Sequence, residues 1–164
     1  MDIYIVAFII ALAVAYFITP YVMELSIKVG ALDTPDARKV HTRPIPRMGG
    51  LAIFAGFVVA VLASMHLSRE IVGLLLGGTV ILAVGIIDDL KQLTPRVKLM
   101  GQIAAAAVLV LFDIRIEWLT NPFGDMLYLE YFSIPLTLIW VVGLTNTVNL
   151  IDGLDGLAAG VSTI

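Results

Sequence analysis

The chain has 164 residues, 60% of them hydrophobic and only 14% charged, with a net charge of −3 and a mean hydropathy of +1.01. Such a composition excludes an ordinary soluble domain and describes an integral membrane protein. Without cysteine, and with only His41 and His66, the chain has no thiolate or histidine-rich metal centre, so any metal would be held by oxygen, which favours magnesium or manganese.

A membrane core of roughly 30 Å needs about 20 apolar residues per helix. Apolar runs at about Ile3 to Met23, Gly49 to Leu67, Ile71 to Ile87, Leu99 to Ile114 and Ile134 to Ile151 supply five spans, and a sixth begins near Leu154. The expected fold is all-α: a polytopic transmembrane helix bundle, one domain over residues 1–164. Span one has no basic residue ahead of it and no small-residue cleavage site behind it, so it reads as a retained anchor. Eight of the ten Lys and Arg residues follow spans one and three, leaving Arg69 and Arg115 for the other side. The positive-inside rule then places the N-terminus outside and the loops after spans one, three and five in the cytoplasm.

After span one comes DTPDARKVHTRPIPRMGG, Asp33 to Gly50. Pro35, Pro44 and Pro46 prevent a continuous helix, and Gly49-Gly50 allows close backbone approach. Lys39, Arg43 and Arg47 either bind phosphate or serve only as topogenic charge beside anionic lipid. Prolines, His41 and the glycine pair in one short segment favour a structured anion site.

Span two gives way to span three, where Gly73 and Gly77 are spaced for helix packing. Span three ends in GIIDDLKQLTPRVKLMGQ, Gly85 to Gln102, with Asp88-Asp89 at the helix C-terminus. That end already carries negative partial charge, so something cationic should compensate the carboxylates. Lys91, three residues on, is one candidate; a divalent metal or a shared proton is the other. Thr94-Pro95 reads as N-cap and first helical position of span four, which puts Lys98 at the same mouth as Asp88.

The segment from Asp113 to Ser133 is acidic and carries Trp118, Tyr128, Tyr131 and Phe132, as an interfacial hairpin would. Span five then runs into NTVNLIDGLDGLAAG, residues 146–160. Steps of three keep Asn146, Asn149 and Asp152 near one helical face, and Gly153 and Gly156 thin the helix so that a ligand can come close. They are either polar glue between helices or a site, and Asp152 and Asp155, as ionisable groups near membrane depth, favour the site.

Together RKVHTRPIPRMGG, DDLKQLTPRVKLMGQ and NTVNLIDGLDGLAAG resemble the polyprenyl-phosphate N-acetylhexosamine-1-phosphate transferases, in order and topology, over Arg38 to Gly160. The first motif is closer to the N-acetylglucosamine-1-phosphate enzymes than to the pentapeptide translocase. The resemblance implies a magnesium-dependent exchange at the cytoplasmic face of the plasma membrane. Polyprenyl phosphate attacks the sugar-proximal phosphorus of a UDP-sugar, UDP-N-acetylglucosamine being the closest fit, and UMP leaves, which starts a cell-wall or surface glycan such as teichoic acid or lipopolysaccharide. Partners would be the UDP-sugar, the lipid phosphate and the membrane, with a homodimer compatible and no nucleic acid. Carried over by position, Asp88 and Asp89 match the essential acidic pair, with Asp88 as base or metal ligand. Asp152 matches the metal pocket; Lys91, Lys98, Asn146, Asn149 and Asp155 match the nucleotide and phosphate surroundings; Lys39, His41, Arg43 and Arg47 match the first loop. Family members continue through several more spans, so the expectation is the N-terminal part of a longer transferase with little activity of its own. A transporter or scaffold half is the rival, and the gathering of polar residues on one side argues against it.

Overall fold

A segment surrounded by lipid has to satisfy its own backbone hydrogen bonds, and a helix does so internally. The computed structural model describes residues 2–34, 44–122, 124–151 and 157–163, and most of them are helical. In chain order come α1 (Asp2–Val29), the strands β1 (Leu32–Asp33) and β2 (Ile45–Pro46), α2 (Gly49–Ser64), α3 (Arg69–Lys91) and α4 (Pro95–Leu111). There follow β3 (Trp118–Leu119), β4 (Leu127–Tyr128), a 3-10 turn (Glu130–Phe132), α5 (Ser133–Ile151) and α6 (Leu157–Thr163).

The expected helix bundle is present, with two short antiparallel hairpins, β1–β2 and β3–β4, added to it. By length and composition α1, α3 and the segment Glu130–Ile151 suit a membrane crossing, and α2 is apolar but only 16 residues long. Helix α2 stops at Ser64 because Met65 turns extended, three residues short of the expected end. Helix α4, 17 residues long, ends at Leu111, where Asp113 takes a left-handed φ of 65° and turns the chain into the β3–β4 hairpin. On this hairpin Trp118 packs against Tyr128 with ring centroids 4.8 Å apart and planes tilted by 45°, and Ile116 N–H donates to Thr137 Oγ1 of α5 at 2.9 Å.

Neighbouring helices pack through glycine. A Cβ at Gly56 of α2 would meet Ala11 O of α1 at 2.6 Å, and one at Gly78 of α3 would meet Phe54 of α2 at 2.7 Å. Between α3 and α4 the closest approaches run in antiparallel order, from Gly73 against Phe112, through Gly77 against Leu109, to Val84 against Gly101. Both glycines of the expected Gly73/Gly77 pair are buried. A second cluster, Val22, Ala31, Met48 and Ala52, closes the α1–α2 end, and Ile86 of α3 packs against it. Helix α5 finds its main neighbour among α1 to α4 in α4.

Candidate functional site

The antiparallel march of α3 along α4 ends, one turn beyond Val84 and Gly101, at Asp88 and Lys98. Lys98 Nζ lies 2.5 Å from Asp88 Oδ2, with both side chains partly buried. Asp88 is doubly committed, since its Oδ1 accepts from Leu93 N–H at 2.9 Å while its carbonyl accepts from Gln92 N–H at 2.8 Å. Gln92 closes α3 in the left-handed conformation, φ 49°, and this turns the chain back so that α4 can present Lys98. The cation that answers Asp88 is therefore Lys98 and not Lys91, which lies exposed in the last turn of α3 and forms no ion pair among the described residues. Thr94 and Pro95 occupy the expected N-cap and first position, although the Thr94 side chain makes no capping bond.

Inside this ion pair lies a cavity of about 150 Å3 between three helices. Ile81, Val84 and Gly85 of α3 line it with apolar surface; Asp88 and Lys98 stand at its mouth, where α3 ends and α4 begins, with Gln102 one turn further along α4 and Thr145 and Asn149 of α5 on the other side. Asn146, expected beside Asn149, turns away to Gln102: Asn146 Nδ2 donates to Gln102 Oε1 at 2.8 Å.

Asp88 and Asp89 are adjacent in sequence but have different neighbours. Asp89 sits three residues after Ile86, the α3 residue packed on the α1–α2 cluster, so the two share a face. The Arg47 and Lys98 cations and the Asp33 carboxylate lie within electrostatic reach of Asp89, which forms no hydrogen bond or ion pair among the described residues. Arg47 itself is held three ways. Its backbone N–H donates to Ala31 O at 3.0 Å and to Ser26 Oγ at 3.2 Å, and its guanidinium pairs with Asp33. Ser26 is fully buried and donates to Ala31 O at 2.6 Å, so the start and end of the α1–α2 connection are pinned to the end of α1.

Among the described residues no three acidic or histidine side chains cluster as a metal cage. Asp88 is taken up by Lys98 and Leu93, whereas Asp89 keeps its oxygens unbonded among the described residues; an unbonded carboxylate suits a hard, oxygen-seeking cation. Of the residues singled out from sequence, Asp88, Lys98 and Asn149 line one cavity, Asp89 follows Asp88 on α3 with Arg47 within its electrostatic reach, and Asn146 bonds to Gln102 of the cavity lining. Lys39, His41, Arg43, Asp152 and Asp155 lie outside the described residues. Sequence reasoning passed over Gln102; the available signal was a lone amide in an apolar run, four residues after Lys98 and hence on its face.

Residues 71–164 match the family described as Glycosyl transferase family 4. The chain is similar to a probable undecaprenyl-phosphate N-acetylglucosaminyl 1-phosphate transferase of Bacillus subtilis, 44% identical over 162 residues that cover 98% of this chain and 45% of that protein. It is 39% identical to a decaprenyl-phosphate N-acetylglucosaminephosphotransferase of Mycolicibacterium smegmatis, over 94% of this chain and 41% of that one. A phospho-N-acetylmuramoyl-pentapeptide-transferase of a Thermoanaerobacter species is 34% identical over 98% of this chain and 54% of its own length. The chain thus spans about half the length of the curated relatives it matches. No solved structure matches it.

Proposed function

The chain belongs to glycosyl transferase family 4, and from that premise we propose that its protein transfers N-acetylglucosamine 1-phosphate from UDP-N-acetylglucosamine to a polyprenyl phosphate in the plasma membrane. An oxygen of the lipid phosphate attacks the sugar-proximal phosphorus. The bond between the two donor phosphorus centres' bridging oxygen and that phosphorus breaks, and UMP departs with the electron pair. The product is a lipid-linked pyrophosphoryl sugar that would start a cell-wall or surface glycan. Support comes from the printed names of the relatives and from one observation above all, the Asp88–Lys98 pair at the mouth of a cavity between α3, α4 and α5.

In this reading Lys98 meets the phosphate oxygens at the point where negative charge accumulates, and Asp88 holds its ammonium there. Asn149 offers amide hydrogen bonds from the opposite wall, and Arg47 adds positive charge from the α1–α2 connection. Asp89, with Asp88 and Asp152, would hold a magnesium ion, which when bound supplies charge neutralisation on the transferred phosphate. Lys39, His41, Arg43, Lys91 and Asp155 would complete the polar surroundings. The excess of Lys and Arg at this end supports a mouth on the cytoplasmic side, where a soluble nucleotide donor is found.

The test uses the full-length protein in detergent with UDP-N-acetylglucosamine, undecaprenyl phosphate and magnesium. UMP release that requires both substrates is expected, as is its loss in Asp88→Asn with membrane insertion intact. No UMP from a folded, inserted protein would overturn the assignment. Retention of the UDP-sugar that magnesium does not alter would count against the metal.

A further inference from the structure

Gln102 and Asn146 form a closed amide pair across the α4–α5 contact. Asn146 Nδ2 donates to Gln102 Oε1 at 2.8 Å, and Gln102 Nε2 donates back to Asn146 Oδ1 at 3.3 Å. The remaining Asn146 N–H goes to Val142 O at 2.8 Å. Gln102 is 6% exposed and sits one turn before the buried Ala105 and Ala106, so its amide would be costly to leave unbonded. Two planar amides joined reciprocally accept only one register and one rotation of α4 against α5, whereas apolar side chains would tolerate sliding. A buried amide that fixes helix register is a known use of such groups.

Their positions give that register a consequence. Lys98 lies one turn before Gln102 on α4, and Asn149 lies three residues after Asn146 on α5, so each amide shares a face with a residue of the cavity mouth. Helix α5 relies on α4 as its main neighbour in the bundle, which leaves this contact to set where Asn149 stands relative to Lys98. We propose that the Gln102–Asn146 pair is a positioning element of the site: it locks α4 to α5 so that Lys98 and Asn149 face one another across the cavity, its own amides being committed to each other. Resting on the transferase reading above for its catalytic consequence, the claim about register stands on geometry alone.

The experiment compares Gln102→Leu, Asn146→Leu and the exchange Gln102→Asn with Asn146→Gln in the full-length protein, by two readouts. The first is UMP formation. Each single variant is expected to lose about tenfold or more in kcat through misplacement of the mouth residues, while the exchange, which rebuilds the reciprocal pair, recovers to within about threefold of wild type. The second readout needs no activity: spin labels on exposed Met100 of α4 and exposed Val148 of α5 report their separation by pulsed electron resonance. Single variants should shift or broaden that distance, and the exchange should restore it. Unchanged distances in the single variants, or an exchange as impaired as they are, would overturn the proposal. So would a single variant that melts at lower temperature yet turns over at the wild-type kcat, since the pair would then serve stability alone. An inactive wild type with a well-defined distance that the variants disturb would sink the transferase reading and leave the register claim standing.

Discussion

Val84 of α3 rests directly on Gly101 of α4: a Cβ added at Gly101 would lie 2.5 Å from Val84 Cγ2 and 3.1 Å from Cγ1. Val84 also forms part of the apolar wall of the cavity, so the contact joins helix packing to the shape of the site. Gly101→Ala would gain about 1 kcal/mol of helix propensity and lose about 1–3 kcal/mol to overpacking against a stiff β-branched side chain. A lower melting temperature is expected, with Val84 driven into the cavity and weaker UDP-sugar binding. Both are read in one thermal-shift titration, and a variant as stable and as avid as wild type would refute the close approach.

Lys98 is the cation of the mouth, and its removal should be felt in the rate. Lys98→Met leaves Asp88 without its ion-pair partner, and loss of a preorganised charge at a phosphoryl centre typically costs about 10²–10³ in kcat. Lys98→Arg keeps the charge and should recover part of that loss. Initial rates of UMP release under saturating donor decide the matter, and a methionine variant within a few-fold of wild type would remove Lys98 from the chemistry.

Ser26 supports the α1–α2 connection from beneath. Ser26→Ala removes one of the two acceptors for Arg47 N–H and a donor to Ala31 O in a fully buried position, at a cost of about 1–3 kcal/mol. A matching drop in unfolding temperature is expected. Faster protease cleavage between α1 and α2 should accompany it, because the pin at Arg47 is weakened.

Orientation can be checked by single cysteines placed in residues 1–164, which contain no native thiol. Arg96 and Asp125 are both exposed and lie at opposite ends of α4 and its following hairpin. On intact cells a membrane-impermeant maleimide should label Asp125→Cys and spare Arg96→Cys until the membrane is opened. The reverse pattern would invert the assignment of the site to the cytoplasmic side.

Apolar runs announced the helices, because burial in lipid needs little more than length and hydrophobicity, and the Gly73/Gly77 spacing announced a packing face. Helix ends were less legible. Met65 and Asp113 stop α2 and α4 through backbone conformation that hydropathy does not encode. The site divided in the same way. Asp88 at a helix C-terminus demands a cation, and the sequence offers Lys91 or a metal for it while placing Lys98 only at the same mouth; the left-handed Gln92, which folds α4 back, brings Lys98 to Asp88 instead. Asn146 and Asn149 shared a helical face, yet one bonds to α4 and the other opens on the cavity, a distinction set by the partner helix.

The connection between α3 and α4 is only Gln92 to Thr94. Its length works as a gauge for everything that follows. Each residue of α4 is turned about 100° from the last, and Lys98 and Gln102 share a face. A single insertion or deletion in that short turn would therefore swing both away together, unseating the ion pair to Asp88 and the amide pair to Asn146 in one event. The same change between Asp113 and Trp118 lies after α4 and would leave the Asp88–Lys98 pair in place. Natural length variation in this protein should accordingly be accommodated in the segment after α4 and be refused in the three residues before it.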